Sequence, residues 1–318
     1  MQLPKIISYL VVITMLLALG PYILLDAKSL FFHYAMVYVY LLLIAIAWNY
    51  LYTLTGMVSL GLQLYFGVAA YATALFINLT SNVAIAVAAS FLISTLLSLA
   101  VSLLLIRLRG LSFTIGSWMF AEGTLLIMLN VPGMGGSQGY GVPLIQIPVK
   151  ELYAASLSAI VFILLATYIL SNGKLGFGAR GVKYSEQLAG TLGLNVPLYK
   201  VMVLTICHLI AALAGILYML YVKYTDPYTA FSIMWSIEAI IISVIGGINT
   251  LLGPFVGGAV YLVIHEYVRF LYAELNILIT GAIMVFFGVA YKEGIMGFVN
   301  KMVFQRIVQP VKRQDKPV

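Results

Sequence analysis

Apolar residues run through this chain in long blocks, each ended by glycine, proline, asparagine or a cluster of charge. Ten such blocks can be marked: Ile6 to Leu25, Phe31 to Leu51, Met57 to Ile77, Val83 to Ile106, Leu111 to Leu129, Leu152 to Leu170, Val201 to Tyr221, Ser232 to Ile248, Phe255 to Leu271 and Leu275 to Tyr291. Most reach the roughly 20 residues that a helix needs to cross a hydrocarbon layer of about 30 Å. The pattern therefore predicts an all-α, polytopic membrane helical bundle of about 10 transmembrane helices.

Composition agrees. Of 318 residues, 63% are hydrophobic and 8% charged, against about 25% charged in a soluble domain. A soluble fold has no way to cover that surface. The first block follows Lys5 and has the look of a signal peptide, but it is long and lacks a small-residue cleavage site before Asp26, so an uncleaved span is expected.

The net charge of +7 raises the question of nucleic acid. The basic residues, however, sit in the gaps between apolar blocks and are not interleaved with aromatics on one face, so no nucleic-acid partner is expected. With the N-terminus inside, Lys5, Arg107, Arg109, Lys174, Arg180, Lys183, Lys200, Lys292, Lys301, Arg306, Lys312, Arg313 and Lys316 fall in the cytoplasm, 13 of the 17 Lys and Arg. Lys28, Lys150, Lys223 and Arg269 fall at the outer side. The positive-inside rule thus places both termini in the cytoplasm, which an even number of spans satisfies. The expected organisation is a membrane-spanning permease domain over residues 1–298, with a cytoplasmic segment at about 172–200, and a basic cytoplasmic tail over 299–318.

Two connections exceed a turn. The outer one, Asn130 to Lys150, is rich in Gly and Pro, which argues against a regular helix. The inner one, Ser171 to Lys200, can form a short amphipathic helix over Val182 to Leu192, stopped by Gly193 and by Pro197 beyond it. A helix lying across the cytoplasmic face is a docking element for a partner. Gly56 to Tyr71 and Gly247 to Tyr261 also read as a weak internal echo, each placing glycines at the start of a span, as duplicated transporter halves or chance would.

Charge inside a span is costly unless it faces a polar interior, which singles out Glu122 and Glu238. Each either supports a broken helix in a packed interface or lies on the solute route, and a proton relay is the third reading. Glu266 and Arg269 have the spacing to pair on one helix face. His208 reads as a packing residue. Gly246, Gly247, Gly253 and Gly257 mark either close helix packing or a pore-lining break. The lone Cys207 allows no disulfide or CxxC metal site within the chain. There is no GxxxxGK phosphate loop, no HExxH and no GxSxG, so the chain itself is read as neither an ATPase nor an enzyme, with no cofactor and no metal.

Several of these stretches together resemble LivM-type permeases of branched-chain amino-acid ABC importers, from about Thr55 to Arg269. The strongest part is Asp226 to Tyr261, where Ser236, Ile237, Glu238, Gly246, Gly247, Gly253, Pro254 and Gly257 match. Lys183, Glu186, Ala189, Leu192, Gly193 and Asn195 stand in the places of the family's coupling segment. Ser59, Leu60 and Gly61 with Phe66, Gly67 and Tyr71 match as well, as do the Phe120-Ala121-Glu122 triplet and Gly135 to Ser137 with Val142 and Pro143. Tyr184 and Ser185 replace acidic or amide residues, and Leu62 replaces a polar residue, with Gln63 one place later.

The resemblance implies a complex of this chain with cytoplasmic ABC ATPase subunits, a second, LivH-like permease and an extracytoplasmic solute-binding protein, set in the lipid bilayer. It implies that Lys183, Glu186, Ala189 and Gly193 couple to the ATPase. Gln63, Glu122 and Glu238 are then expected to line or support the substrate pathway, and Gly61, Gly67, Gly246, Gly247, Gly253 and Gly257 to act as pore or helix-break glycines. Rival readings are a permease for urea, short amides or another small metabolite, and, from another class, a self-sufficient proton-coupled carrier or channel.

Overall fold

The computed structural model of the chain describes residues 30–142 and 147–271, with short pieces at 278–279, 281–282, 285–286 and 294–297. The expected first span, most of the tenth, the basic tail, Pro143 and the Arg269 side chain, and with it the expected Glu266–Arg269 pairing, lie outside what is described. The regular elements described are helices apart from two-residue strands at Tyr140–Gly141 (β1) and Tyr224–Thr225 (β2), which pair antiparallel.

In chain order the helices are α1 (Leu30–Thr55), α2 (Leu62–Thr80), α3 (Val83–Leu105), α4 (Leu111–Asn130), α5 (Val149–Asn172), α6 (Lys174–Tyr184), α7 (Glu186–Thr191), α8 (Val196–Val222), α9 (Pro227–Ala230), α10 (Met234–Gly246) and α11 (Gly253–Leu271). Seven stretches among the described residues are long and apolar enough to cross a membrane: α1 to α5, α8, and α9 with α10 taken together as Pro227–Gly246. Alone, the 13 residues of α10 reach about 20 Å, short of the hydrocarbon thickness. The chain is a multi-pass membrane protein.

Local chemistry explains where the helices start and stop. Asn82 caps α3 by accepting hydrogen bonds from the Ala84 and Ile85 amides, while Ser81 turns left-handed at the end of α2, so two residues suffice for the hairpin. Asn195 accepts from Leu198 N at the start of α8, and Pro197 sits in its first turn, where a missing N–H costs nothing. Pro197 therefore begins the next helix and does not stop the inner one. The Met57 to Ile77 block becomes helical only from Leu62, because Gly56, at φ +70°, ends α1 and the next residues run as a loop.

α1, α2 and α8 form the buried centre, and α3 packs against α2 and α8 along a narrow stripe. That stripe is Ser90, Ser94, Ser98 and Ser102, all fully buried at a spacing of four. Small side chains at this spacing let helices approach closely without a hydrophobic driving force, which lipid does not supply. Ser90 meets Thr73 across the interface at 2.9 Å. His208 of α8 meets Ser98 at 2.9 Å and stacks on Tyr65, as expected for a packing histidine. The outer faces of α3, α4 and α5 instead present Leu96, Leu103, Met119, Leu126, Phe162 and Ile169, surface suited to hydrocarbon rather than water.

The connections gather at two opposite ends. Residues 53–56, 106–110, 183–200 and 249 meet at one end, through Lys183 on Thr53 and Asn249 and through Arg109 on Glu186. At the other, Asn78 donates to the Gly141 carbonyl, β1 pairs with β2, and His33 bonds Tyr221. This is the alternation expected from the charge pattern, and the lysine- and arginine-rich end is the one it assigned to the cytoplasm.

Candidate coupling site at the basic end

The inner connection folds differently from the single helix expected over Val182 to Leu192. Ser185 is extended, at φ −161° and ψ 114°, and separates α6 from α7. Its hydroxyl accepts a hydrogen bond from the Leu188 amide, so the residue that breaks one helix caps the next. Gly193 closes α7 at φ +82°, with Leu194 N bonded back to Ala189 O at 3.0 Å, the return bond of a Schellman turn. The stop expected at Gly193 is therefore where the helix ends.

Glu186 opens α7 and holds two cations on separate oxygens. Lys200 of α8 donates to Oε1, and Arg109, in the connection between α3 and α4, lies 3.2 Å from Oε2. The Lys200 side chain is 6% exposed and that of Arg109 73%, so the pair runs from the protein interior to water. Ala189 is buried beneath α7. Neither basic partner was legible beforehand, because nothing in a linear reading brings Arg109 or Lys200 onto Glu186.

Lys183 reaches the other way. Its Nζ donates to the Thr53 carbonyl at 3.2 Å and to Asn249 Oδ1 at 3.1 Å, and lies 5.0 Å from the centre of the Tyr52 ring. The last carbonyls of α1 lack helical partners and carry the negative end of the helix dipole, so a cation satisfies both. Partial burial draws the Lys183 pKa below its ordinary value. Asn49 of α1 donates to Thr250 O at 2.8 Å and accepts from Asn249 N at 3.3 Å, tying the same loop to α1. The two short helices are thus bonded to α1, to the 247–252 loop, to the α3–α4 connection and to α8.

The pathway candidates lie in separate surroundings. Gln63 is fully buried, with Nε2 donating to Leu60 O at 2.9 Å and Oε1 accepting from the Ser236 hydroxyl, which in turn accepts from Leu62 N at 3.2 Å. Its hydrogen-bonding groups are engaged within the chain, where they join the start of α2 to α10. Glu122 accepts from Trp118 Nε1 at 2.8 Å, one turn back along α4. Glu238 neighbours the Tyr261 hydroxyl of α11.

Among the six glycines expected to line a pore or break a helix, Gly247 is the one that caps a helix end, closing α10 at φ +119°. The others allow contact. A Cβ on Gly246 would stand 1.7 Å from Gly253 O, on Gly257 2.0 Å from Ile242 O, on Gly253 2.3 Å from Gly247 O, on Gly61 2.3 Å from Ser117 O and on Gly67 2.5 Å from the Phe231 ring. α10 and α11 therefore touch backbone to backbone through Gly246 and Gly257.

A family model described as the permease component of branched-chain amino acid transport systems matches residues 30–288. The chain belongs to this family of transport permeases. No curated protein and no solved structure matches the chain. The match covers α1 to α11 and the connections at the lysine- and arginine-rich end, so the contacts of Lys183 and Glu186 lie inside the matched region.

Proposed function

We propose that the permease is a pore subunit of an ATP-driven ABC importer for branched-chain or related amino acids, with ATP hydrolysed by separate cytoplasmic subunits. One observation carries the reading. Tyr184, Leu188 and Leu192 follow one another at intervals of four across the Ser185 break, and their exposures are 90%, 61% and 74%. They lie outside the stretches long and apolar enough to cross a membrane. Three exposed apolar side chains within one short segment suit a docking surface, and the groove of a separate ATPase is the partner the family description favours.

Lys183 and Glu186 turn docking into transmission. Movement imposed on α6 and α7 passes through Lys183 to the end of α1 and the 247–252 loop, and through Glu186 to Arg109 and Lys200. The glutamine-serine knot at Gln63 and Ser236 and the glycine seam between α10 and α11 keep those elements moving as rigid bodies, and Glu122 and Glu238 support the solute route. In this reading residues 1–298 form the permease domain, with the coupling segment at about 172–200 and a basic tail at 299–318. A second, LivH-like permease and an extracytoplasmic binding protein complete the importer in the cell membrane.

The experiment is co-purification and ATP-dependent uptake in proteoliposomes. Leu188→Asp is expected to abolish ATPase retention and uptake while the folded chain stays within about 0.5 kcal/mol of wild type, since Leu188 is exposed. Lys183→Met is expected to keep the ATPase bound and hydrolysing while uptake is lost. Solute uptake by the chain alone, without ATP, would sink the proposal in favour of a carrier or channel.

A further inference from the structure

Beside the Glu186 ion pair a cleft of about 420 Å³ opens between the α1–α2 connection and the start of α4. This lies within the roughly 300–1,000 Å³ range of ligand pockets. Arg109, Lys200 and Glu186 form its polar wall, and Met57, Val58 and Leu111 are among its apolar lining. Two cations face one carboxylate, so the wall carries a net positive charge. The ion pair engages Nη2 of Arg109, but a guanidinium has five N–H donors. Arg109 is thus able to hold Glu186 and a second anion together. Gly110, at φ +52°, begins α4 without a side-chain cap, which leaves backbone amides at the same wall.

The mouth identifies the kind of anion. Leu111, on the rim, is 74% exposed, and Leu103 and Leu104, one connection earlier at the end of α3, are also exposed. These are the thinly covered, hydrocarbon-suited faces described above, at the end of the bundle where the spans finish. We propose that this cleft binds the phosphate of an anionic phospholipid headgroup, with the guanidinium of Arg109 as its principal ligand and the acyl chains lying along Leu104 and Leu111. Basic pockets at the cytoplasmic ends of spans suit such headgroups. The site shares a wall with Glu186, so a bound headgroup would set the charge balance around the residue that joins α7 to the bundle. The inference rests on the membrane location and the cleft, and stands whether or not an ATPase docks on α7.

The test uses the full chain in nanodiscs of phosphatidylcholine, with and without phosphatidylglycerol. Native mass spectrometry counts retained lipid, and thermal unfolding reports protection. The expected result is one phosphatidylglycerol retained through delipidation and a raised melting temperature. Arg109→Ala should weaken that retention about tenfold, the loss of one charge-assisted contact. Leu111→Glu leaves the ion pair intact, places a like charge at the exposed mouth and should weaken it similarly. Protection by inorganic phosphate in pure phosphatidylcholine, lost in Arg109→Ala, would keep the phosphate site and assign it a soluble source. Equal phosphatidylglycerol retention by wild type and both variants would overturn the proposal. So would loss of ATPase binding in Arg109→Ala with lipid retention unchanged, which would give the cleft to the protein partner.

Discussion

Replacing Ser236 by Ala removes one oxygen and leaves two buried groups without partners. The hydroxyl donates to Gln63 Oε1 and accepts from Leu62 N, and both Ser236 and Gln63 are fully buried. Leu62 is the first residue of α2, so no helical carbonyl is available to its amide. Each orphaned group costs about 1–3 kcal/mol in a protein interior. Interhelical hydrogen bonds in membranes measure lower, about 0.6 kcal/mol on average and up to about 1.7, because the unfolded chain also finds partners. With two groups lost, the expected destabilisation is about 2–3 kcal/mol. Equilibrium unfolding in mixed micelles measures it, with Ser156→Ala as control. Ser156 is equally buried, but its hydroxyl donates only to Leu152 O of its own helix, a carbonyl that already has a backbone partner one turn on. Its loss should cost less than about 0.5 kcal/mol. In a double-mutant cycle with Gln63→Leu the two changes should couple by more than about 0.5 kcal/mol. If Ser236→Ala matches the control, or the cycle is additive, the knot between α2 and α10 does not hold them together.

Two further outcomes follow from the same geometry. Glu186→Gln strips the charged partner from Lys200, whose side chain is 6% exposed, whereas Lys200→Met leaves Glu186 with Arg109 and water. The first should destabilise by about 2–3 kcal/mol and the second by about 1 or less, an asymmetry that thermal unfolding and proteolysis of the 185–195 segment will show. Gly257→Ala puts a Cβ 2.0 Å from Ile242 O, against a site at Gly123 with nothing within 4 Å. Gly257→Ala should therefore cost about 2 kcal/mol or more by forcing α10 and α11 apart, while Gly123→Ala should be neutral or slightly stabilising; equal melting temperatures would refute the seam.

Where the sequence could be read, local signals were sufficient. Gly193 was legible as the end of α7 because a left-handed residue after a helix favours glycine, and His208 as packing because no second ligand lay at metal spacing. Ser185 was missed as a break because its role depends on its hydroxyl finding the Leu188 amide, which a helical period does not record. Ser90, Ser94, Ser98 and Ser102 stand at intervals of four in the sequence, but nothing local says that α2 and α8 are the helices they face. Gln63 and Ser236 lie 173 residues apart, so no local pattern reports their bond.

By itself the sequence determined that this chain lives in a membrane, roughly where its described spans begin and end, and that most of its cations stand in alternate connections. Those properties are sums over neighbouring residues: the hydrocarbon demands some 20 apolar positions in a row, and the membrane sorts Lys and Arg by connection. The tertiary structure alone decided which side chains close the lysine- and arginine-rich end. Lys183 on Thr53 and Asn249, Glu186 on Arg109 and Lys200, and the glycine seam at Gly246 and Gly257 are contacts between distant segments. They form only once helix packing has fixed which ends meet, and that packing depends on shape and hydrogen-bond partners rather than on hydropathy.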